Sequence, residues 1–266
     1  MAVIVEKSGP VTTIVLSRPE VKNAVDPATA RELHKSFLAF EADPDARVAV
    51  FYGANGSFCA GYDLKALSSG EGAEWAEAIR FPEDSTRPTP PGPMGPSRLE
   101  LSKPVIAAVE GPAVAGGTEL ALWCDFRVMA EDAYFGIYCR RWGVPLIDGG
   151  TVRLPRLVGL GRALEIILTG RRVPAEEALR IGLCEYVVAH GAARAKAEAL
   201  AHEIARFPQA CLRADRASAH RQHGLSLNEA LRREFAGSLP VVRAEAVGGA
   251  GRFAGGMGRH GDFGEI

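Results

Sequence analysis

No stretch of the 266-residue chain stays apolar for about 18 residues, and no cationic segment precedes an apolar one at its start. Neither a membrane span nor a secretory leader is therefore expected. Paired cysteines are missing as well. Cys59, Cys124, Cys139, Cys184 and Cys211 are odd in number and scattered, with no Cys-x-x-Cys. That excludes a disulfide framework and a cysteine zinc site, and points to reduced thiols in a cytoplasmic protein. Neither charge sign dominates: 31 Lys and Arg against 32 Asp and Glu leave a net charge of -1, with no global basic field to attract nucleic acid or an anionic membrane. The six histidines fall at no metal-ligand spacing, so no metal is expected. There is no Gly-x-Ser-x-Gly elbow and no Rossmann glycine spacing, which argues against a serine hydrolase and a nucleotide-dependent enzyme.

What is present is a large apolar fraction, 47% of residues, enough for a substantial core. Residues 3–7 and 11–17 are β-branched runs separated by Ser8-Gly9-Pro10, the pattern of a hairpin. Asp26-Pro27 reads as an N-cap followed by proline at the first helical position, and the helix it opens puts Leu33, Phe37 and Phe40 on one face. Residues 47–53 and 104–111 are short, nearly all-apolar runs ending in glycine, as strands buried on both faces should be. After residue 149 helical patterns dominate, over 149–169, 174–182, 192–206, 208–223 and 227–247, with a short strand at 185–188. Residues 68–100, with six prolines between Pro82 and Pro96, form a loop too long for a plain connector and suited to a lid over a site. The class is α/β with a helical C-terminal extension.

Residues 109–125, "VEGPAVAGGTELALWCD", place two glycines and one carboxylate at the start of an otherwise apolar helix. Glycine there lets another group approach the backbone, and the first helical turn offers N–H groups without partners at the positive end of the helix dipole. Residues 53–67, "GANGSFCAGYDLKAL", present Ala60-Gly61-Tyr62-Asp63 in a similar way before a second helix. Two backbone donors from two loops could together stabilise a developing oxyanion; two ordinary glycine turns are the alternative.

These segments, with the later "FG" at 135–136 and "GLGRALEIILTGRRVPAEEALRIGLCEYVV" at 159–188, resemble the enoyl-CoA hydratase/isomerase (crotonase) family over residues 11–190. The resemblance implies a crotonase-like ββα spiral core over 1–190 carrying an acyl-CoA site, with 68–100 as its variable loop. Residues 191–266 would then form a helical trimerisation region, giving a homotrimer or a hexamer of two trimers. The substrate implied is an acyl-CoA thioester, with coenzyme A entering as part of it and no separate cofactor. The N–H groups of Tyr62 and Gly116 would bind the thioester oxygen, and the CoA chain would run past Ala60, Tyr62, Asp63, Leu64 and Lys65. Arg18 and Lys22 border the region that holds adenine and phosphates in the family, although they read equally well as solvated charges. Arg259 lies where relatives complete a neighbour's CoA site.

Glu119 matches the first of the two glutamates that hold water in family hydratases. The second would stand in Phe-Gly-x-Pro-Glu; here the segment reads "FGIYC", so the position is Cys139. A thiol with an ordinary proton affinity near 8.5 replaces a glutamate poorly as acid or base. Cys139 is either a nucleophile activated by Arg140 and Arg141 or a small buried side chain filling the space. Asp148 lies close to an aspartate used by isomerases, hydrolases and dehalogenases of the superfamily; capping the helix at Gly149-Gly150-Thr151, or pairing with Arg140 or Arg141, are its other readings. Trp142 either lines the acyl pocket or packs in the core. The implied function is enoyl-CoA hydratase-like, with isomerisation, thioester hydrolysis or acyl-CoA binding without turnover as alternatives.

Overall fold

Runs of β-branched residues on either side of Gly9 form the first hairpin, β1 (Val3–Ser8) antiparallel to β2 (Val11–Leu16). The computed structural model describes every residue except Glu71, Ser85, Asp262, Glu265 and Ile266; the side chains of Ala73 and Arg259 lie outside the described set, and with them the role considered for Arg259. Further strands follow in chain order: β3 (Val48–Gly53), β4 (Val105–Val109), β5 (Pro112–Val114), β6 (Phe126–Ala130), β7 (Tyr134–Gly136), β8 (Arg172–Pro174) and β9 (Tyr186–Val188). One six-stranded sheet has the order β1-β2-β3-β4-β6-β9 and is parallel from β2 onward. A three-stranded sheet, β5-β7-β8, stands beside it.

The helices are α1 (Pro27–Ala42), α2 (Leu64–Ser69), α3 (Ala73–Ala78), α4 (Gly116–Trp123), α5 (Gly150–Val158), α6 (Leu160–Thr169), α7 (Ala175–Arg180), α8 (Ala193–Ile204), α9 (Gln209–Arg221), α10 (Leu227–Val241) and α11 (Val247–Ala254). The inner strands β2, β3, β4 and β6 of the large sheet are buried on both faces, which is why they needed near-continuous apolar runs, whereas the edge strands β1 and β9 are more exposed. Ala49 and Phe51 of β3 face the main core with Leu33 and Phe37 of α1, while Val48 and Val50 face the other way. That second face is closed by α8, whose alanines at 193, 197 and 201 form a stripe one helical repeat apart. Small side chains there let the helix lie close against the strands. The Asp26 carboxylate accepts the N–H of Thr29 at 2.7 Å, as the cap reading predicts.

The segments after residue 149 differ from the sequence expectation at their joints. The stretch 149–169 is two helices, because Gly159 adopts φ 80° and ψ 153° between them. Pro174 ends strand β8 and stands as N-cap of α7, and the helical run from 227 is broken by a π-helical turn over Val242–Ala246. The region beyond 190 is not uniform either. α8 belongs to the core, whereas α9 and α10 contain no buried residue. Arg216 and His220 of α9 tie it to Asp125 at 2.8 Å each. No helix among the described residues is long and apolar enough to cross a membrane.

Candidate active site

The two glycine loops meet. Beyond β3 the chain turns through Asn55-Gly56 and pairs Cys59 with Ala113 of β5, with the N–H of Val114 donating to the Cys59 carbonyl at 2.9 Å. The close approach explains the glycines. A Cβ on Gly117 would land on the Cys59 carbonyl, and one on Gly61, at φ +96°, would lie 3.1 Å from the Gly116 nitrogen. Ala115, just before α4, is held at φ 53° and ψ -123°, with its N–H donating to Gly136 at 2.8 Å. A non-glycine residue there stores strain of about 1–3 kcal/mol, and such strain persists where the surroundings over-determine the turn.

This geometry aims two donors. Tyr62 sits in a parallel bridge with Val25, in which Gly61 accepts from Val25 and Asp63 donates to it, so the Tyr62 N–H faces the opposite way. The Gly116 N–H opens α4 and has no intrahelical partner. Among the described residues neither N–H finds an acceptor. Both residues line one cavity of about 370 Å³, whose apolar walls include Trp75, Ile79, Met94, Tyr138, Trp142 and Ile147.

Glu119, on the first turn of α4, enters this cavity and is 2% exposed. Its Oε1 accepts the N–H groups of Asp148 at 2.9 Å and Gly150 at 2.8 Å. Burial, with the nearby Asp148 charge, pushes its proton affinity up to about 7, against the pull of those two donors. Asp148 also lines the cavity and is buried; burial raises its proton affinity, opposed by hydrogen bonds from the Ser97 hydroxyl and the Met94 N–H. Its side chain does not cap α5, whose N-cap is Gly149 without a side-chain bond. Nor does it pair with Arg140 or Arg141: Arg140 donates to the Ile167 carbonyl, and Arg141 stacks on Tyr138 and Trp142. The arginine that stands behind the acids is Arg153, one turn into α5, which donates to the Asp148 carbonyl at 2.9 Å and the Ser97 carbonyl at 2.7 Å.

Cys139 lies in the 3₁₀ turn Tyr138–Trp142 at the cavity wall. Burial, and then the Glu119 charge, raise its thiol proton affinity, so the arginine-activated thiolate is not supported and the space-filling reading stands. Trp142 is 64% exposed at the cavity edge rather than packed in the core. Of the positions assigned to CoA, Ala60, Tyr62 and Leu64 line the cavity, and Asp63, Lys65, Arg18 and Lys22 do not. Asp63 is the cap of α2, accepting from Lys65 and Ala66. Arg18 is neither solvated nor free, because Asp26 at 2.9 Å and the Ala24 carbonyl at 2.6 Å hold it. Lys22 is exposed in left-handed backbone, and its carbonyl accepts from Ala60. The chain thus uses 18–26 to brace the Tyr62 loop.

Ser97 and Arg153 carry no local signal, because their contacts join distant segments. The fold also gathers Glu110, Asp132 and His190, although their spacing suggested no metal site. Ordinary bonds account for them. Glu110 accepts the N–H of Ala193 at the start of α8, and His190 pairs with Asp132 at 2.9 Å.

The family model described as enoyl-CoA hydratase/isomerase matches residues 6–238. The chain is 38% identical over 208 residues to enoyl-CoA hydratase EchA19 of Mycobacterium tuberculosis, covering 76% of this chain and 73% of that protein. It is 40% identical over 203 residues to carnitinyl-CoA dehydratase of Salmonella typhi, covering 74% and 72%. A crystal structure of an enoyl-CoA hydratase from Mycobacterium tuberculosis H37Rv superposes with a TM-score of 0.85 at 35% identity over 95% of both chains. One from Bacillus anthracis gives 0.84 at 31% identity over 96% of both.

Proposed function

Since the chain belongs to the enoyl-CoA hydratase/isomerase family of the crotonase superfamily, we propose that it adds water to the double bond of a 2-enoyl-CoA thioester. The observation that carries this reading is the meeting of two unpartnered N–H groups, Tyr62 and Gly116, with a carboxylate fixed by two backbone donors, Glu119, in one apolar cavity. The thioester oxygen accepts from both N–H groups. As water attacks the β-carbon, the double-bond electrons move towards that oxygen and the two donors strengthen their hold, which is differential binding of the transition state. One such donor is worth roughly 3 kcal/mol. Glu119 takes the proton from the attacking water as hydroxide adds to the β-carbon, and passes that proton to the α-carbon, which leaves the carboxylate as it began. Asp148, beside Glu119, supplies the second carboxylate that Cys139 does not. No cofactor beyond the CoA carried by the substrate is needed.

The replacement of the second glutamate by Cys139, with Asp148 offered from a different turn, favours one other reading, in which Glu119 and Asp148 move a double bond without adding water. A mass-resolved incubation with a panel of enoyl-CoA thioesters, run beside Glu119→Gln, tests the choice. A gain of one water that the variant abolishes supports hydration. Relocated double bonds at unchanged mass make the protein an isomerase, and free CoA makes it a thioester hydrolase. Tight binding with no change in any thioester removes catalysis from the reading.

A further inference from the structure

The proline-rich segment 68–100 does more than wall the cavity. Its turn Gly92–Gly95 is closed by reciprocal backbone bonds, Gly92 to Gly95 at 3.0 Å and Gly95 to Gly92 at 2.8 Å. The turn points the Met94 N–H at Asp148 Oδ1, 2.9 Å away, and the adjoining 3₁₀ turn Pro96–Arg98 brings the Ser97 hydroxyl to the same oxygen. A side chain at Gly92 has no room: its Cβ would fall on Ser97 Oγ and lie 2.9 Å from Asp148 Oδ1. Arg153 then ties the carbonyls of Ser97 and Asp148 together from behind. Asp148 Oδ2 has no protein partner among the described residues, and the residue lines the cavity. Ser97 itself is 1% exposed and does not line it.

We propose that Ser97 is a positioning residue: with the Met94 N–H it clamps Asp148 Oδ1, turns Oδ2 to the acyl cavity, and so makes the loop that shapes the acyl pocket part of the acid–base apparatus. The inference rests on the reading of Asp148 as the second carboxylate. A hydroxyl that donates to a carboxylate favours its charged form, and here it works against burial. The other charged or titratable groups around Asp148 are Glu119 of α4, Arg153 of α5, Arg98 of the 3₁₀ turn, and Cys59 and Tyr62 of the Ala60 loop. None of them is changed by replacing Ser97.

The test follows the Asp148 carboxyl directly, by infrared pH titration of the unliganded full-length protein, with the band assigned by its loss in Asp148→Asn. Ser97→Ala should raise the midpoint by about one pH unit. Ser97→Cys, which refills the volume with a weaker donor, should raise it less. An unchanged midpoint in both variants overturns the clamp. Turnover of the thioester that the parent processes fastest supplies the second reading. Ser97→Ala should lower kcat about tenfold with little change in KM, and have no further effect in the Asp148→Asn background. Equal losses in both backgrounds overturn the positioning role. Full activity of Asp148→Asn, with the infrared shift intact, instead removes Asp148 from the reaction and leaves the clamp structural.

Discussion

A carboxyl group walled off from water is costly to ionise, and Glu119 is both buried and next to a second acid. Its proton affinity near 7 fixes two pH dependences of known sign. In its proposed role as base it must be ionised, so kcat/KM should fall as pH drops below about 7. For stability the direction is opposite. The folded value lies above the ordinary 4.5, so the folded state binds more protons between these values, and stability is lost as pH rises from about 4.5 to 7. Glu119→Gln keeps an oxygen for the N–H groups of Asp148 and Gly150 but carries no charge. It should cost on the order of 10²–10⁴-fold in turnover while stabilising the fold, by up to ~3 kcal/mol above pH 7 and little near pH 5. Thermal unfolding of parent and variant at the two pH values, beside the rates, checks both signs; a variant less stable at high pH contradicts this account. Cys139 gives a contrasting expectation. Burial and the Glu119 charge favour its protonated thiol, so Cys139→Ala should process whichever thioester the parent does at close to the parent rate, and mass spectrometry should find the parent thiol slow to alkylate at neutral pH. Loss of activity in that variant would revive the nucleophile.

At the scale of elements, the N-terminus of α4 shows that neighbouring glycines carry different burdens. Gly117 abuts the Cys59 carbonyl, which belongs to the bridge joining the two site loops and cannot move without parting them. Gly116 faces Met94, whose thioether lies 2.9 Å from a Cβ placed there and can swing aside. Gly117→Ala should therefore lose several kcal/mol of stability or fail to fold. Gly116→Ala should fold with a modest loss and fail mainly in turnover, because the added methyl stands beside the N–H proposed to meet the thioester. Denaturant unfolding and steady-state kinetics of the pair separate the two, and equal stability losses would refute the distinction. The same region marks how far sequence reasoning reaches. The glycine pair, Glu119, the α1 cap and the buried strands were legible because each is a local pattern with a local physical cause. The break at Gly159 was missed because the amphipathic pattern runs through it. The Ser97–Asp148 contact joins residues 51 apart, and nothing near either in the chain announces it. Arg18 reads in the sequence as a phosphate contact or a solvated charge, and its ion pairs with Glu20, Asp26 and Asp63 emerge only once the fold brings them together.

At the scale of the molecule, the C-terminal helices do not account for their own stability. α9 and α10 contain no fully buried residue, and isolated helices of their length are marginal in water. α10 nevertheless carries Leu227, Leu231 and Phe235 in an exposed stripe four residues apart, with Phe235 68% exposed. α6 shows a second stripe, Leu160, Leu164 and Leu168. Apolar rows of this kind on one chain argue for copies of itself as cover: a closed ring repeats one head-to-tail contact between two different patches, and a pair of rings adds a self-complementary one across a two-fold axis. The family resemblance implies three chains or six, and the two stripes are the surfaces such contacts would cover. Light scattering on the parent should give three or six chain masses. Leu231→Glu with Phe235→Glu places two charges in one stripe and should reduce that mass, and Leu164→Glu with Leu168→Glu should do so only if the second stripe is also covered. Far-ultraviolet circular dichroism should fall with the first pair, because α9 and α10 then lose the surface that holds them helical. A parent that scatters as one chain, with its helices intact, would mean that these rows have another partner.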